Sequence, residues 1–247
     1  MGLFPQLKKE AIMSKMIATA FPIIKGKESD WRTFHREVQT GKYKEYQELR
    51  KKQNIRERVY LQKTPIADFV IVVDEGDNPE QAFKDFGSES LKNWFFENIK
   101  NIHGVDLSQG MPGPLPELQL DSGGDNISTA NLYPYVTLIP KEKEHEWQEF
   151  MNEVNGRWKN DYQQTRQKQN VRSKVYLQKL PDKQVAIVVM AGENPGQAYR
   201  TLAQGNDDFT RWFAGKVKSM FNYEMGRELW GSDAELVLDS QKQMVTV

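Results

Sequence analysis

Sixteen residues, RKKQNIRERVYLQKTP (Arg50 to Pro65), return 116 positions later as RQKQNVRSKVYLQKLP (Arg166 to Pro181). The same offset carries Trp31, Phe34, Val38 and Tyr46 onto Trp147, Phe150, Val154 and Tyr162, and Ile71 to Val73 onto Ile187 to Val189. Two residues are inserted near Ala203 to Asn206, after which Trp94-Phe95 matches Trp212-Phe213 and ELQLDS (Glu117 to Ser122) matches ELVLDS (Glu235 to Ser240). Chance does not hold such a register, so the chain reads as a tandem repeat. DSGGDNISTAN, Asp121 to Asn131, is rich in residues that favour turns and joins the two copies. The expected organisation is an N-terminal extension over 1–13, repeat 1 over 14–122, a linker over 123–130 and repeat 2 over 131–247.

Within one repeat, SKMIATAFPII reads as a strand. From Asp30 a helical spacing of Trp31, Phe34 and Val38 begins, with a break near Gly41. RVYLQK and DFVIVVD are strands joined by a short turn. Asn78-Pro79 suits the start of a helix carrying Ala82, Phe83 and Phe86, a second helical stretch carries Leu91, Trp94, Phe95 and Ile99, and ELQLD closes the unit as a strand. The order βαββαβ predicts a ferredoxin-like α+β unit. Its helices cover one face of the sheet, and the other face needs a partner. Two copies supply it, so the expectation is a pseudo-twofold α+β barrel with a cavity where the sheets meet.

VYLQKTP-x-x-D-x-VIVV, the NPEQAF helix start, NWF-x-x-x-IK-x-IHGVDL and PGPLPELQLD resemble the dimeric α+β barrel superfamily, and within it a group of uncharacterised proteins. The resemblance covers nearly all of repeat 1. Repeat 2 departs after Phe213, where FNYEM stands in place of IHGVD and Phe221 takes the place of His103. It implies a scaffold shared by cofactor-independent monooxygenases, haem-degrading monooxygenases, chlorite-dismutase-like haem proteins and members of unknown activity, so fold alone restricts function little. Trp94 and His103, nine positions apart, resemble the Trp and His of the haem-degrading members. On that resemblance His103 is the candidate catalytic acid, base or ligand, Trp94 a pocket wall, and haem a cofactor to be considered; by position alone His103 is equally a histidine near a helix C-terminus with Gly104 as its left-handed cap.

The residues themselves point to further candidates. In a strand, Val59 and Leu61 face one way and Tyr60 and Gln62 the other. With the aliphatic pair against the helices, Tyr60, Gln62, Tyr176 and Gln178 point between the sheets, where they either line a small-molecule site or fill the barrel and hydrogen-bond one another. Arg56 and Arg172 either clamp an anionic ligand at the barrel mouth or stand solvated at a strand edge. Arg50, Lys51 and Lys52 sit where cations favour a helix C-terminus, and Asn54 suits a left-handed stop.

Composition removes other classes. Lys plus Arg equals Asp plus Glu, 34 each, so no global field draws the chain toward nucleic acid or an anionic membrane. The absence of cysteine rules out disulfides and thiolate chemistry. No pair among His35, His103 and His145 has metal-site spacing, so no metal is expected. MGLFPQLKKEAIMSKM lacks a secretory core, Gln6 breaks the myristoylation pattern, and no apolar run spans a bilayer. The expectations are therefore a cytoplasmic protein, a small organic molecule as partner, and an intrachain pseudo-dimer that is a monomer or homodimer. The competing functional reading is a non-enzymatic interaction module with a filled barrel; a haem protein is the third.

Overall fold

The structure, a computed structural model, describes residues 15–226 and 230–242; the expected extension over 1–13 lies outside them. The first half runs β1 (Lys15–Pro22), α1 (Glu28–Glu37), α2 (Tyr43–Lys52), β2 (Ile55–Lys63), β3 (Asp68–Gly76), α3 (Glu89–His103) and β4 (Glu117–Asp121). The second repeats it as β5 (Asn131–Ile139), α4 (Glu144–Asn155), α5 (Lys159–Lys168), β6 (Val171–Lys179), β7 (Gln184–Gly192), α6 (Pro195–Leu202), α7 (Asp208–Phe221) and β8 (Glu235–Asp239). This is an α+β fold of two four-stranded antiparallel sheets related by a pseudo-twofold, with helices on their outer faces, as the sequence predicts.

The sheets are not built one per repeat. One has the order β1-β3-β2-β8 and the other β4-β6-β7-β5, so each repeat gives its last strand to the other. The repeated Leu-Asp-Ser is the lock of that exchange. Ser240 Oγ accepts from Glu57 N at 2.9 Å and Ser122 Oγ from Ser173 N at 2.8 Å. Asp239 holds Arg56 in a two-point pair (2.7 and 3.3 Å), and Asp121 holds Arg172 in the same way (2.8 and 3.2 Å). Arg56 therefore pins the exchanged strand to β2, with its guanidinium held by Asp239 and not left as a ligand clamp.

Between the sheets lies a core of Ala18, Ala20, Phe69, Ile71 and Val73 against Val136, Val185, Ile187 and Val189. Tyr60, Gln62, Tyr176 and Gln178 point into this layer, as the strand alternation requires, and they fill it. Gln62 Oε1 accepts from Val136 N at 2.7 Å, and Gln178 Oε1 accepts from Ala20 N at 2.8 Å. Tyr176 donates its hydroxyl to Met16 O at 2.7 Å. Each glutamine thus satisfies an outward backbone group on the edge strand of the facing sheet, at symmetry-related positions, and covers an edge that would otherwise be unpaired. Among the described residues this packed, cross-linked layer stands where the sequence predicts an inter-sheet cavity.

The rest of the long repeat is punctuation with one correction. Asn54 and Asn170 adopt left-handed conformations (φ 55° and 52°). Their carbonyls press on Gly76 and Gly192, where an added Cβ would lie 2.3 and 2.6 Å away. Arg50 and Arg166 do lie in the last turns of their helices, but they are also buried and orient Gln53 and Gln169, which tie down the following segments. The helix predicted from Asn78-Pro79 is a five-residue 3-10 turn, Pro79–Phe83, because Asp85 and left-handed Gly87 (φ 82°) turn the chain. Its counterpart in the second half is the full helix α6.

Gln62→Leu keeps the volume of the inter-sheet layer but leaves the Val136 amide buried without an acceptor. A loss of about 2 kcal/mol in unfolding free energy by urea denaturation is expected.

Candidate functional site

An open cavity lies on the other face of the first half's sheet, beneath α1, α2 and α3. It measures about 140 Å³, against about 40 Å³ for the corresponding space in the second half. Trp31, Phe34 and Val38 come from the helical spacing of α1, Trp94 and Phe95 from α3, and Val59, Val70 and Val72 from the outward faces of β2 and β3. Phe34 packs on Trp94 and Phe95 with ring centroids 5.1 and 5.9 Å apart. The walls are therefore almost wholly apolar, and they suit a hydrophobic, ring-containing molecule.

The difference between the halves follows from single replacements at matched positions. Thr19, Val105, His35 and His103 line the open cavity, whereas Tyr135, Tyr223, Met151 and Phe221 occupy the other. Tyr135 and Tyr223 alone add two phenol rings to the second core, and Met151 is 2% exposed. The second half has used the space for packing, which contributes roughly 1.5–3 kcal/mol per large apolar side chain buried. The first half leaves it open.

Both histidines of the cavity have their protons assigned by geometry. His103 Nδ1 lies 2.9 Å from Pro22 O, and a carbonyl only accepts, so Nδ1 carries the hydrogen. Burial pushes the imidazole down to about pH 4, which leaves it neutral with a free lone pair on Nε2. His35 donates Nε2–H to Val237 O at 2.7 Å and stacks flat on Trp31 at 5.1 Å. Burial lowers its titration also. His103 ends α3, with Gly104 in the left-handed cap conformation (φ 71°). At the mouth, Lys42 lies 5.6 Å from the centre of the Trp94 ring.

The inner end of the cavity is polar. Glu57 accepts from Tyr46 Oη at 2.8 Å and pairs with Arg50 at 2.6 Å. Thr19 is 1% exposed, and its hydroxyl has no hydrogen-bond partner. Asp74 stands opposite Glu57 in the β2–β3 register, is fully buried, and has no geometric hydrogen bond at either oxygen. Burial, reinforced by the neighbouring Glu57 and opposed by Arg50, pushes the Asp74 carboxyl well above the usual range, so it holds its proton.

Of the residues expected to form a site, His103 and Trp94 meet in this cavity. Tyr60, Gln62, Tyr176 and Gln178 are on the far side of the sheet, and Arg56 is at the strand exchange. His145 is exposed and pairs with Glu149 at 3.6 Å. The Arg50–Glu57–Asp74 cluster was missed, although Glu57 and Asp74 interrupt apolar alternation on the helix-facing side and become Ser173 and Met190 in the other copy. Among the described residues no group of three or more His, Asp or Glu could hold a metal, and no helix is long and apolar enough to cross a membrane.

Two solved structures are similar over most of the chain. One, from Fusobacterium nucleatum subsp. nucleatum ATCC 25586, is provisionally assigned as a monooxygenase; it is 12% identical, with a TM-score of 0.42, over 92% of this chain and 94% of its own. The other, from Lactobacillus acidophilus NCFM, carries the same provisional assignment and is 9% identical, with a TM-score of 0.43, over 92% and 94%. No family model matches the chain, and no curated protein matches it significantly.

Proposed function

We propose that the first half binds a small, ring-containing organic molecule between its helices and its sheet, with a hydroxyl of that molecule donating to His103 Nε2. The observation that carries this reading is a neutral imidazole, its other nitrogen fixed on Pro22 O, set in an aromatic wall. The second half lacks both histidines and most of the space, which supports one site per chain. A neutral imidazole against a hydroxyl is also the arrangement of a general base. Removal of that proton is the first requirement of cofactor-independent oxygenation, so oxygenase chemistry, implied by the resemblance of the sequence, belongs to the same proposal.

Haem fits the pocket less well. Its two propionates need cations, and the lining cations are Arg50, already paired with Glu57, and Lys42. The filled inter-sheet layer is what the rival interaction-module reading expects; the open cavity on the helix side is what favours ligand binding over it.

Calorimetric titration with 1-naphthol tests the reading. Binding on the order of 10 µM is expected, and Thr19→Tyr, which installs the residue of the second half, reduces affinity at least tenfold with the fold retained by circular dichroism. Failure of the natural sequence to bind any phenolic probe would remove the proposal; oxygen uptake with bound phenols decides the catalytic part.

The protonation state of His103 has its own signature. The unfolded chain takes up a proton near pH 6.5 that the native protein refuses until about pH 4. Stability is therefore fully present above pH 6.5 and falls as pH drops through that window. His103→Phe should lose about 2 kcal/mol less than the natural sequence between pH 6.5 and 4, allowing for partial solvent screening, as measured by urea denaturation.

A further inference from the structure

The polar inner end of the cavity is a second recognition element that its lining of aromatic residues does not explain. Thr19, Glu57 and Asp74 project toward the helices from three neighbouring strands, and each has lost its side-chain chemistry or its size in the second half, where Tyr135, Ser173 and Met190 stand. Arg50 and Tyr46 carry no such signal, because Arg166 and Tyr162 retain them beside a space of about 40 Å³. Two carboxyl groups face one guanidinium here, all three at least nine-tenths buried. Charge balance in a dry site then calls for one proton on the carboxyl pair, which agrees with the raised titration of Asp74.

With that proton in place, the unmet capacity at this end is to donate. Both Glu57 oxygens already accept, from Tyr46 and Arg50, while the Thr19 hydroxyl is aimed into the cavity with no partner. A buried donor left without an acceptor is costly, so an acceptor oxygen from a ligand would be favoured there. The register sets the length of such a ligand. Pro22, which holds His103, lies level with Phe69, and Ile17 lies level with Asp74 and hence with Glu57. Thr19, level with Val72, is three residues of strand from Pro22, roughly 10 Å at about 3.3 Å per residue.

We infer that the cavity takes an elongated hydroxy-carbonyl compound, its hydroxyl at His103 and its carbonyl oxygen accepting from Thr19 at the polar end. This rests on the pocket reading above and adds the second functional group and the length of the ligand. Thr19 donates to the oxygen, and Glu57, held by Tyr46 and Arg50, borders it. Asp74 is a positioning residue that keeps a proton beside Glu57.

The test is a matched pair of probes, 4-hydroxybiphenyl and 4-acetyl-4′-hydroxybiphenyl, titrated calorimetrically into the full chain. The ketone is expected to bind at least tenfold more tightly. That preference should fall to about onefold in Thr19→Val and in Asp74→Met, and return in Asp74→Asn, which keeps a neutral donor. A general loosening of the pocket would weaken both probes together and leave their ratio unmoved, so a preserved ratio in Thr19→Val and Asp74→Met overturns the assignment. Equal binding of both probes to the natural sequence also overturns it, with the phenol pocket intact and water occupying the polar end. Binding of neither removes this inference together with the reading beneath it.

Discussion

The protein depends on how the unpaired edges of two twisted sheets are closed. An exposed edge strand is a row of donors and acceptors that attracts other chains. Here each sheet answers that problem at both sides. One edge receives a strand from the other repeat, held by Leu-Asp-Ser and an arginine. The opposite edge receives a glutamine side chain from the facing sheet. Gln62 and Gln178 serve as substitutes for backbone and tie the two sheets through Val136 and Ala20. Among the described residues the inter-sheet layer is a buried core, and the apolar cavity lies on the helix side of the first sheet.

That division of labour separates what the two halves do. Both have the same clamp residues, the same left-handed asparagines and the same Trp-Phe framework over the sheet. They differ where a side chain meets the helix–sheet core. The second half fills its core with tyrosines and methionine and is the more solid body. The first leaves an opening bounded by two neutral histidines and a buried acid pair, groups that reduce stability unless something satisfies them. One half supplies rigidity, the other carries the groups a ligand would meet, and a duplicated scaffold allows the two demands to be met apart.

Much of the frame is legible in the sequence. The period-2 pattern of VYLQ places Tyr60 and Gln62 between the sheets, and Asn54 ends a helix in the conformation its type favours. The strand exchange is not legible, because ELQLDS pairs equally well by pattern with either copy of RVYLQK; only three-dimensional closure decides between them. The pocket is half legible. His103 and Trp94 stand out, but the cavity arises from small differences such as Thr19 against Tyr135, which appear only when the copies are compared for what they do not share. Arg50 is hidden for another reason: it lies in a basic run, RKK, whose local logic of helix termination explains the charge without revealing its burial.

The exchanged strands also impose an order on synthesis. Leu238 lines the cavity and Val237 O fixes His35, yet both belong to β8, some 200 residues from the histidine they serve. The first sheet must wait with β2 uncovered until residue 239 has been made, and its pocket cannot take shape before then. The second sheet has β4 in hand before β6 is made, and can close first. Such long-range pairing slows folding. It leaves the more densely packed half as the platform on which the half with the open cavity is finally assembled.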